Sequence, residues 1–286
     1  MSRIVYVNGS FVPYDEARIP IMDRGFLFAD GIYEVSAVIE GRLVDNEAHL
    51  ARLERSLGEI RIRNPHSAAE WTRLEEELVS RNALTEGLVY MQVTRGVAER
   101  DFAFPADVSP TVVMFTQEKR MTDAPGAETG VAVITVPDLR WARRDIKSVA
   151  LLAQVLAKQA AAEAGVAEAW MVEDGQVTEG GSSTAFIVTR DGCIVTRPLS
   201  HAILPGITRQ ALLRLAEETQ LRIEERPFTP EEAKGAAEAF LTSATSLVMP
   251  VVSIDGRAVG EGRPGPIARR LRALYLEAAR GTQPAA

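Results

Sequence analysis

Apolar positions recur along the chain in two spacings, every second residue in some segments and every third or fourth in others, and the switches between them mark strands and helices. The opening RIVYVNGSFV holds two short alternating runs around Asn8-Gly9, a dipeptide suited to the positive backbone angles of a tight hairpin. GIYEVSAVIEGRLV repeats the device around Glu40-Gly41. NEAHLARLERSLGEI then puts Leu50, Leu53, Leu57 and Ile60 on one helical face, and SAAEWTRLEEELVSRN opens a second helix with a Ser67 to Glu70 capping box. Strand patterns return in LVYMQVTRG and TVVMFTQ. Between them VAERDFAFPADVSP is too polar and proline-broken for either regular form.

The stretch EKRMTDAPGAETG has turn formers, charge and no periodicity, which predicts an interdomain connection at residues 119–128 between an N-terminal domain over 1–118 and a C-terminal domain over 129–286. The second domain begins with the strand pattern VAVITVPDL and carries a long apolar helix pattern after Lys147, with Ser148 as its natural N-cap. It continues with the strands of EAWMVEDGQVTEGG and STAFIVTRDGCIVTR, the helix ALLRLAEETQ, strands around AEAFLTSATS and VVSIDGRAV, and a last helix IARRLRALYLEAAR. Helices and strands mix without strict alternation, as in two α/β or α+β domains. GTQPAA reads as a frayed tail.

Composition narrows the class. At 286 residues and 46% hydrophobic, the chain can bury a sizeable core. Its longest helix-like apolar run, SVALLAQVLA, is about half of the ~20 residues that span a bilayer. The N-terminus lacks the apolar core of a secretory signal, and the single Cys193 fits a cytoplasmic protein without disulfides or a thiolate metal site. A net charge of -7 supplies no basic field for a nucleic acid.

Four places offer chemistry. Lys147 precedes a helix start and follows Arg143 and Arg144, all of which disfavour an ammonium; a neutral amine there is a nucleophile able to form a Schiff base. In VTEGGSSTAF, Glu179 ends a strand beside two glycines, a turn able to present a carboxylate to a ligand. LPGITRQALLRLAEE opens a helix with Gly206, Ile207 and Thr208, where free amides make an anion site that suits phosphate. Ser243 and Thr245 in TSATS could add hydroxyls, and Arg52, at the margin of its helix's apolar stripe, a cation. Each has an ordinary alternative: a surface lysine paired with Asp145, a polar hairpin corner, plain capping, a solvated arginine. The three histidines form no metal or triad pattern; His49 falls on the apolar side of its helix.

Taken in order, DRGFLFADGIYEV, EAHLARL, YMQVTRG, WARRDIKS, VLAKQ, VTEGGSSTAF, ILPGITR and FLTSATS resemble a fold type IV pyridoxal phosphate aminotransferase over almost the whole chain, and within that family the D-amino acid aminotransferases. The resemblance implies a two-domain fold, with a small N-terminal α/β domain and a larger C-terminal domain built on a barrel-like sheet that carries the cofactor lysine. It implies pyridoxal 5'-phosphate as cofactor, held covalently by Lys147, with Glu179 at the pyridine nitrogen, Leu204 against the ring, and Arg52, Ile207, Thr208, Ser243 and the Ala244 amide at the phosphate. Tyr33 and Arg100 match positions that receive the substrate carboxylate. A D-amino acid as donor, pyruvate or 2-oxoglutarate as acceptor and a homodimer follow from the same likeness.

Two positions depart from the family pattern. Phe102 stands where the D-amino acid enzymes carry a histidine, which predicts more tolerance of apolar donors and of primary amines without a carboxylate. Ala244 stands where a phosphate-binding threonine is usual, which predicts poorer cofactor retention. Branched-chain L-aminotransferases and aminodeoxychorismate lyases share the lysine and glutamate and are the nearest alternatives. A cofactor-free Schiff-base lyase and a noncatalytic binding protein are the more distant ones.

Overall fold

A computed structural model describes residues 2–281, so all of the GTQPAA tail after Gly281 lies outside the described residues. The chain forms two compact units. One holds the chain up to Arg120 together with Ile146–Ala150; the other holds Met121–Asp145 and the chain from Leu151 on. Lys147, expected with the C-terminal domain, therefore packs within the first unit.

In the first unit, the hairpin strands β1 (Ile4–Val7) and β2 (Ser10–Pro13) turn at Asn8 and Gly9, both with positive φ. A short helix α1 (Arg24–Phe28) follows, then β3 (Gly31–Ile39) and β4 (Arg42–Leu43) around the second tight turn. Helices α2 (Asn46–Glu59) and α3 (Ala68–Arg81) precede the long strands β5 (Glu86–Thr94) and β6 (Thr111–Glu118). The six strands form one antiparallel sheet in the order β2-β1-β6-β5-β3-β4. Leu50, Leu53 and Leu57 of α2 and Trp71, Leu74 and Leu78 of α3 share a core with Ile32, Met91 and Met114 of the sheet. Ser67 accepts the Glu70 amide as a cap should, but the Glu70 carboxylate turns to His66, so the capping box is half made.

The second unit begins inside the expected connection, where α4 (Pro125–Thr129) starts on a proline that pre-sets the helical φ. Next come β7 (Val131–Pro137), α5 (Leu152–Glu163), β8 (Glu168–Glu173), β9 (Gln176–Gly180), β10 (Thr184–Val188) and β11 (Ile194–Thr196). Then α6 (Ile207–Glu218), β12 (Ile223–Glu225), α7 (Pro230–Gly235), β13 (Glu238–Ser243), β14 (Leu247–Ile254), β15 (Arg257–Ala258) and α8 (Pro266–Ala279) complete the unit. Nine strands form one mixed sheet in the order β12-β11-β10-β13-β14-β7-β8-β9, with β15 added on β14. No helix among the described residues is long and apolar enough to cross a membrane.

Candidate active site

Lys147 departs from its expected setting. The helix that follows starts at Leu152, not at Ser148, because Ser148 is taken up in a bridge to Ile32 of β3. Tyr33 N donates to Lys147 O at 3.0 Å and Val149 N to Gly31 O at 3.0 Å, so the lysine is held as though it belonged to a neighbouring strand. Nor do the two arginines stand as loose cations: Arg143 pairs with Asp145 at 3.0 Å, and Arg144 with Glu173 at 2.5 Å. Asp145, the alternative partner for Lys147, is thus engaged by Arg143. The Lys147 Nζ lies 4.3 Å from the centroid of the Tyr33 ring, and no carboxylate pairs with it among the described residues. Tyr33 itself stacks on Tyr90, and Tyr90 on Phe115, which fixes the ring under the amine.

On the opposite face of β3 from Tyr33, Glu34 is buried against α2. Arg52 donates to it twice, Nε to Oε1 and Nη2 to Oε2, both at 2.8 Å, and His49 Nδ1 lies 2.8 Å from Oε2. Burial alone would raise this carboxyl, but Arg52 and His49 hold it well below the usual carboxylate range; burial depresses His49, against the pull of Glu34. Arg52 is therefore buried and oriented rather than a solvated flank residue. His49, expected as packing, is a working member of the cluster. Its spacing of three from Arg52 was the available signal: an arginine and a histidine on one buried helix face require a carboxylate opposite.

In the second unit, Glu179 stands near the end of β9 and is buried. Its Oε1 accepts from Arg140 Nη1 and, at 3.1 Å, from the Leu204 amide, while Oε2 accepts no hydrogen bond among the described residues. Asp138 grips Arg140 from the other side, Oδ1 to Nε at 3.0 Å and Oδ2 to Nη2 at 2.7 Å, and Thr178 donates to the same Asp138 at 2.7 Å. Burial lifts Glu179 above the ordinary carboxylate range, and Arg140 opposes the lift. A second cation at the open Oε2 would favour the ionised form further. Arg140 and Asp138 had no periodic signal in the sequence; Glu168, which holds Ser182 and Ser183 of the TEGGSS turn through Oε2 at 3.1 Å, was equally hidden.

The opening of α6 has the features that suit an anion. Gly206 at the N-cap has no side chain to satisfy the first amides, and Ile207 and Thr208 are buried there. A Cβ on Gly206 would come within 2.8 Å of Thr184 Oγ1, so the close approach requires glycine. Thr242, directly opposite Thr184 on β13, keeps a buried Oγ1 without a hydrogen-bond partner. Ser243 accepts the Ser246 amide at 3.0 Å and so has its own hydroxyl hydrogen to donate, while Ala244 sits in the turn that follows. An uncapped helix start and an orphaned hydroxyl fit a phosphate, and the open oxygen of Glu179 fits a protonated ring nitrogen.

Arg100 and Phe102 form a separate cluster of the first unit. Both side chains are exposed and pack with Phe28: the Arg100 guanidinium lies 5.3 Å from the Phe28 centroid and 5.6 Å from that of Phe102. Arg24, bound to Asp30 at 2.8 Å, anchors this loop by donating to Asp101 O at 2.5 Å.

Each unit thus carries features suited to pyridoxal phosphate: in the first a lysine amine with no carboxylate partner among the described residues, in the second a buried carboxylate with one open oxygen and an uncapped helix start. The chain belongs to the family described as amino-transferase class IV, whose model matches residues 31–254. It is 41% identical over 268 residues to a D-alanine aminotransferase of Bacillus licheniformis, covering 94% of each chain, and 40% identical over 271 residues to one of Staphylococcus aureus, covering 94% of this chain and 95% of the other. Among solved structures, the branched-chain amino acid aminotransferase of Escherichia coli superposes with a TM-score of 0.93 at 24% identity, over 99% of this chain and 97% of that one. A branched-chain amino acid aminotransferase from T.th., complexed with N-(5'-phosphopyridoxyl)-L-glutamate, gives 0.91 at 26%, over 99% and 96%.

Proposed function

We propose that this protein is a pyridoxal phosphate-dependent transaminase that moves the amino group of a D-amino acid to a 2-oxo acid such as pyruvate or 2-oxoglutarate. The observation that carries the reading is the Lys147 amine on the face of Tyr33 with no carboxylate partner among the described residues. The donor's configuration is drawn from the relatives named D-alanine aminotransferase, which match over nearly full length.

When bound, pyridoxal phosphate supplies an aldehyde for the amino group and a ring that accepts the electron pair of the substrate α-carbon. Lys147 Nζ would hold that aldehyde and would carry the proton at the substrate α-carbon. Glu179, kept in place by Arg140 and the Leu204 amide, holds the proton on the ring nitrogen through its open oxygen. The Leu204 side chain would lie against the ring. Arg52, the Ile207 and Thr208 amides, the Ser243 hydroxyl and the Ala244 amide retain the phosphate, with one hydroxyl fewer than a threonine at 244 would give. Tyr33 and Arg100 receive the substrate carboxylate, and Phe102 beside Arg100 makes the site tolerant of apolar donors and of primary amines.

A homodimer completes the reading. Ile21, Phe26 and Phe102 are each more than 75% exposed in the first unit, an apolar surface suited to a second copy. A monomeric mass in light scattering at micromolar concentration would refute it. A cytoplasmic location is supported by the one cysteine, buried and unpaired.

The deciding experiment is a donor screen with D-alanine and L-leucine, each with 2-oxoglutarate. We expect D-alanine to turn over. Turnover of L-leucine alone would favour the branched-chain reading, which the fold likeness to branched-chain enzymes keeps in view.

A further inference from the structure

The loop that carries Arg100 and Phe102 leaves the sheet of the first unit after Thr94 and rejoins it at Thr111. Its larger apolar side chains, Val97, Phe102 and Phe104, are all exposed, so the loop has no apolar core of its own to fix its course. Polar contacts from one carboxylate take that place. Asp30, between α1 and β3, accepts Arg24 Nε at 2.8 Å and Arg95 Nε at 2.7 Å on Oδ2, and Arg95 Nη2 at 2.9 Å on Oδ1. Its carbonyl accepts the Arg95 amide at 3.0 Å, which sets the two segments in register.

Both arginines are buried, and each holds a different part of the loop. Arg24 donates to Asp101 O at 2.5 Å and to Phe102 O at 3.5 Å, the carbonyls that directly follow Arg100 in the chain. Its guanidinium also lies 4.7 Å from the centroid of Phe28, the ring on which Arg100 packs. Arg95 lies 3.6 Å from the centroid of Phe104 and spends its remaining donors on Ile60 O at 2.7 Å and Arg61 O at 3.0 Å. Burial would raise the Asp30 carboxyl, but Arg95 and Arg24 hold it below the usual carboxylate range, so it is ionised at neutral pH. One carboxylate thus serves two buried cations. Without its charge both guanidiniums would be buried with carbonyls and ring faces alone, and turning to water would release Asp101 and Phe104.

We propose that Asp30 is a positioning residue for substrate recognition: through Arg24 and Arg95 it fixes the course of the loop on which Arg100 meets the substrate carboxylate. The inference rests on that role of Arg100, as proposed above.

The test measures KM and kcat for D-alanine, with 2-oxoglutarate as acceptor, in wild type, Asp30→Asn, Arg100→Ala and the double variant. Asp30→Asn should raise KM about tenfold with kcat within about twofold of wild type. Because Asp30 acts through Arg100, the double variant should be no worse than Arg100→Ala. Effects that multiply in the double variant would overturn the proposal, since they mark a structural loss independent of Arg100; an unchanged KM in Asp30→Asn would overturn it as well. If Asp30→Asn does not fold, Phe104→Ala, which leaves the Asp30 ion pairs intact, enters the same cycle with an expected rise in KM of about threefold. An Arg100→Ala enzyme with the wild-type KM would instead remove the carboxylate role of Arg100, and the inference would fall with it, a failure seen in a different variant.

Discussion

The two units each bury a carboxylate against an arginine, and the two pairs are built differently. Glu34 is closed: Arg52 and His49 occupy both oxygens, and together they hold the carboxyl down in spite of burial. Glu179 is open: both of its bonds fall on Oε1, and burial keeps the carboxyl up in spite of Arg140. A closed pair fixes geometry, here the direction of Arg52. An open pair reserves an acceptor for something not yet present.

The largest effect should come from opening the closed pair. Glu34→Gln leaves Arg52 buried without its anion, a loss of about 3–5 kcal/mol in chemical denaturation; a change below about 0.5 kcal/mol, the size of a neutral surface substitution, would show that the pair is not structural. Glu179→Gln should behave in the opposite way. Arg140 stays bound to Asp138, so the protein should melt close to wild type while kcat falls about 10²- to 10³-fold. If the two variants lose stability alike, the distinction between closed and open fails.

pH sharpens the contrast. Glu34 has a depressed folded value, so its stabilising contribution is complete above the ordinary value of 4.5 and is lost as pH falls below it. Glu75, buried on α3, has a raised folded value, so the native state binds the extra proton. Stability is lost as pH rises from 4.5 to about 8 and is level beyond. The melting temperature of Glu75→Gln relative to wild type should therefore climb through that interval, and a constant difference would contradict the assignment. The smallest effect belongs to the exposed loop: Phe102→His should shift preference toward D-alanine over a primary amine by about tenfold, the worth of one hydrogen bond to a charged group. An unchanged donor profile would remove Phe102 from the substrate site.

What the sequence made legible follows from how local each signal is. The hairpin at Asn8-Gly9 and the helices α2 and α3 depend on turn chemistry and periodicity within a few residues, and they form as the pattern predicts. Ser148 shows a local signal overruled. A good N-cap residue is claimed by the strand bridge to Ile32, its hydroxyl accepts the Ala150 amide instead, and the helix waits until Leu152. The helix α1 is too short for periodicity, though Asp23 caps it by accepting the Gly25 amide at 2.8 Å. Arg140 lies 39 residues from Glu179, and Glu75 sits far in sequence from Ser36; partners that only the fold brings together leave no local trace.

The central claim is that Lys147 carries the cofactor. Borohydride reduction of the holoenzyme followed by peptide mass mapping tests it directly. We expect a phosphopyridoxyl label on Lys147 and none on Lys158 or Lys234, with the label absent from Lys147→Ala. A label on another lysine, or a wild-type protein that takes none, would contradict it.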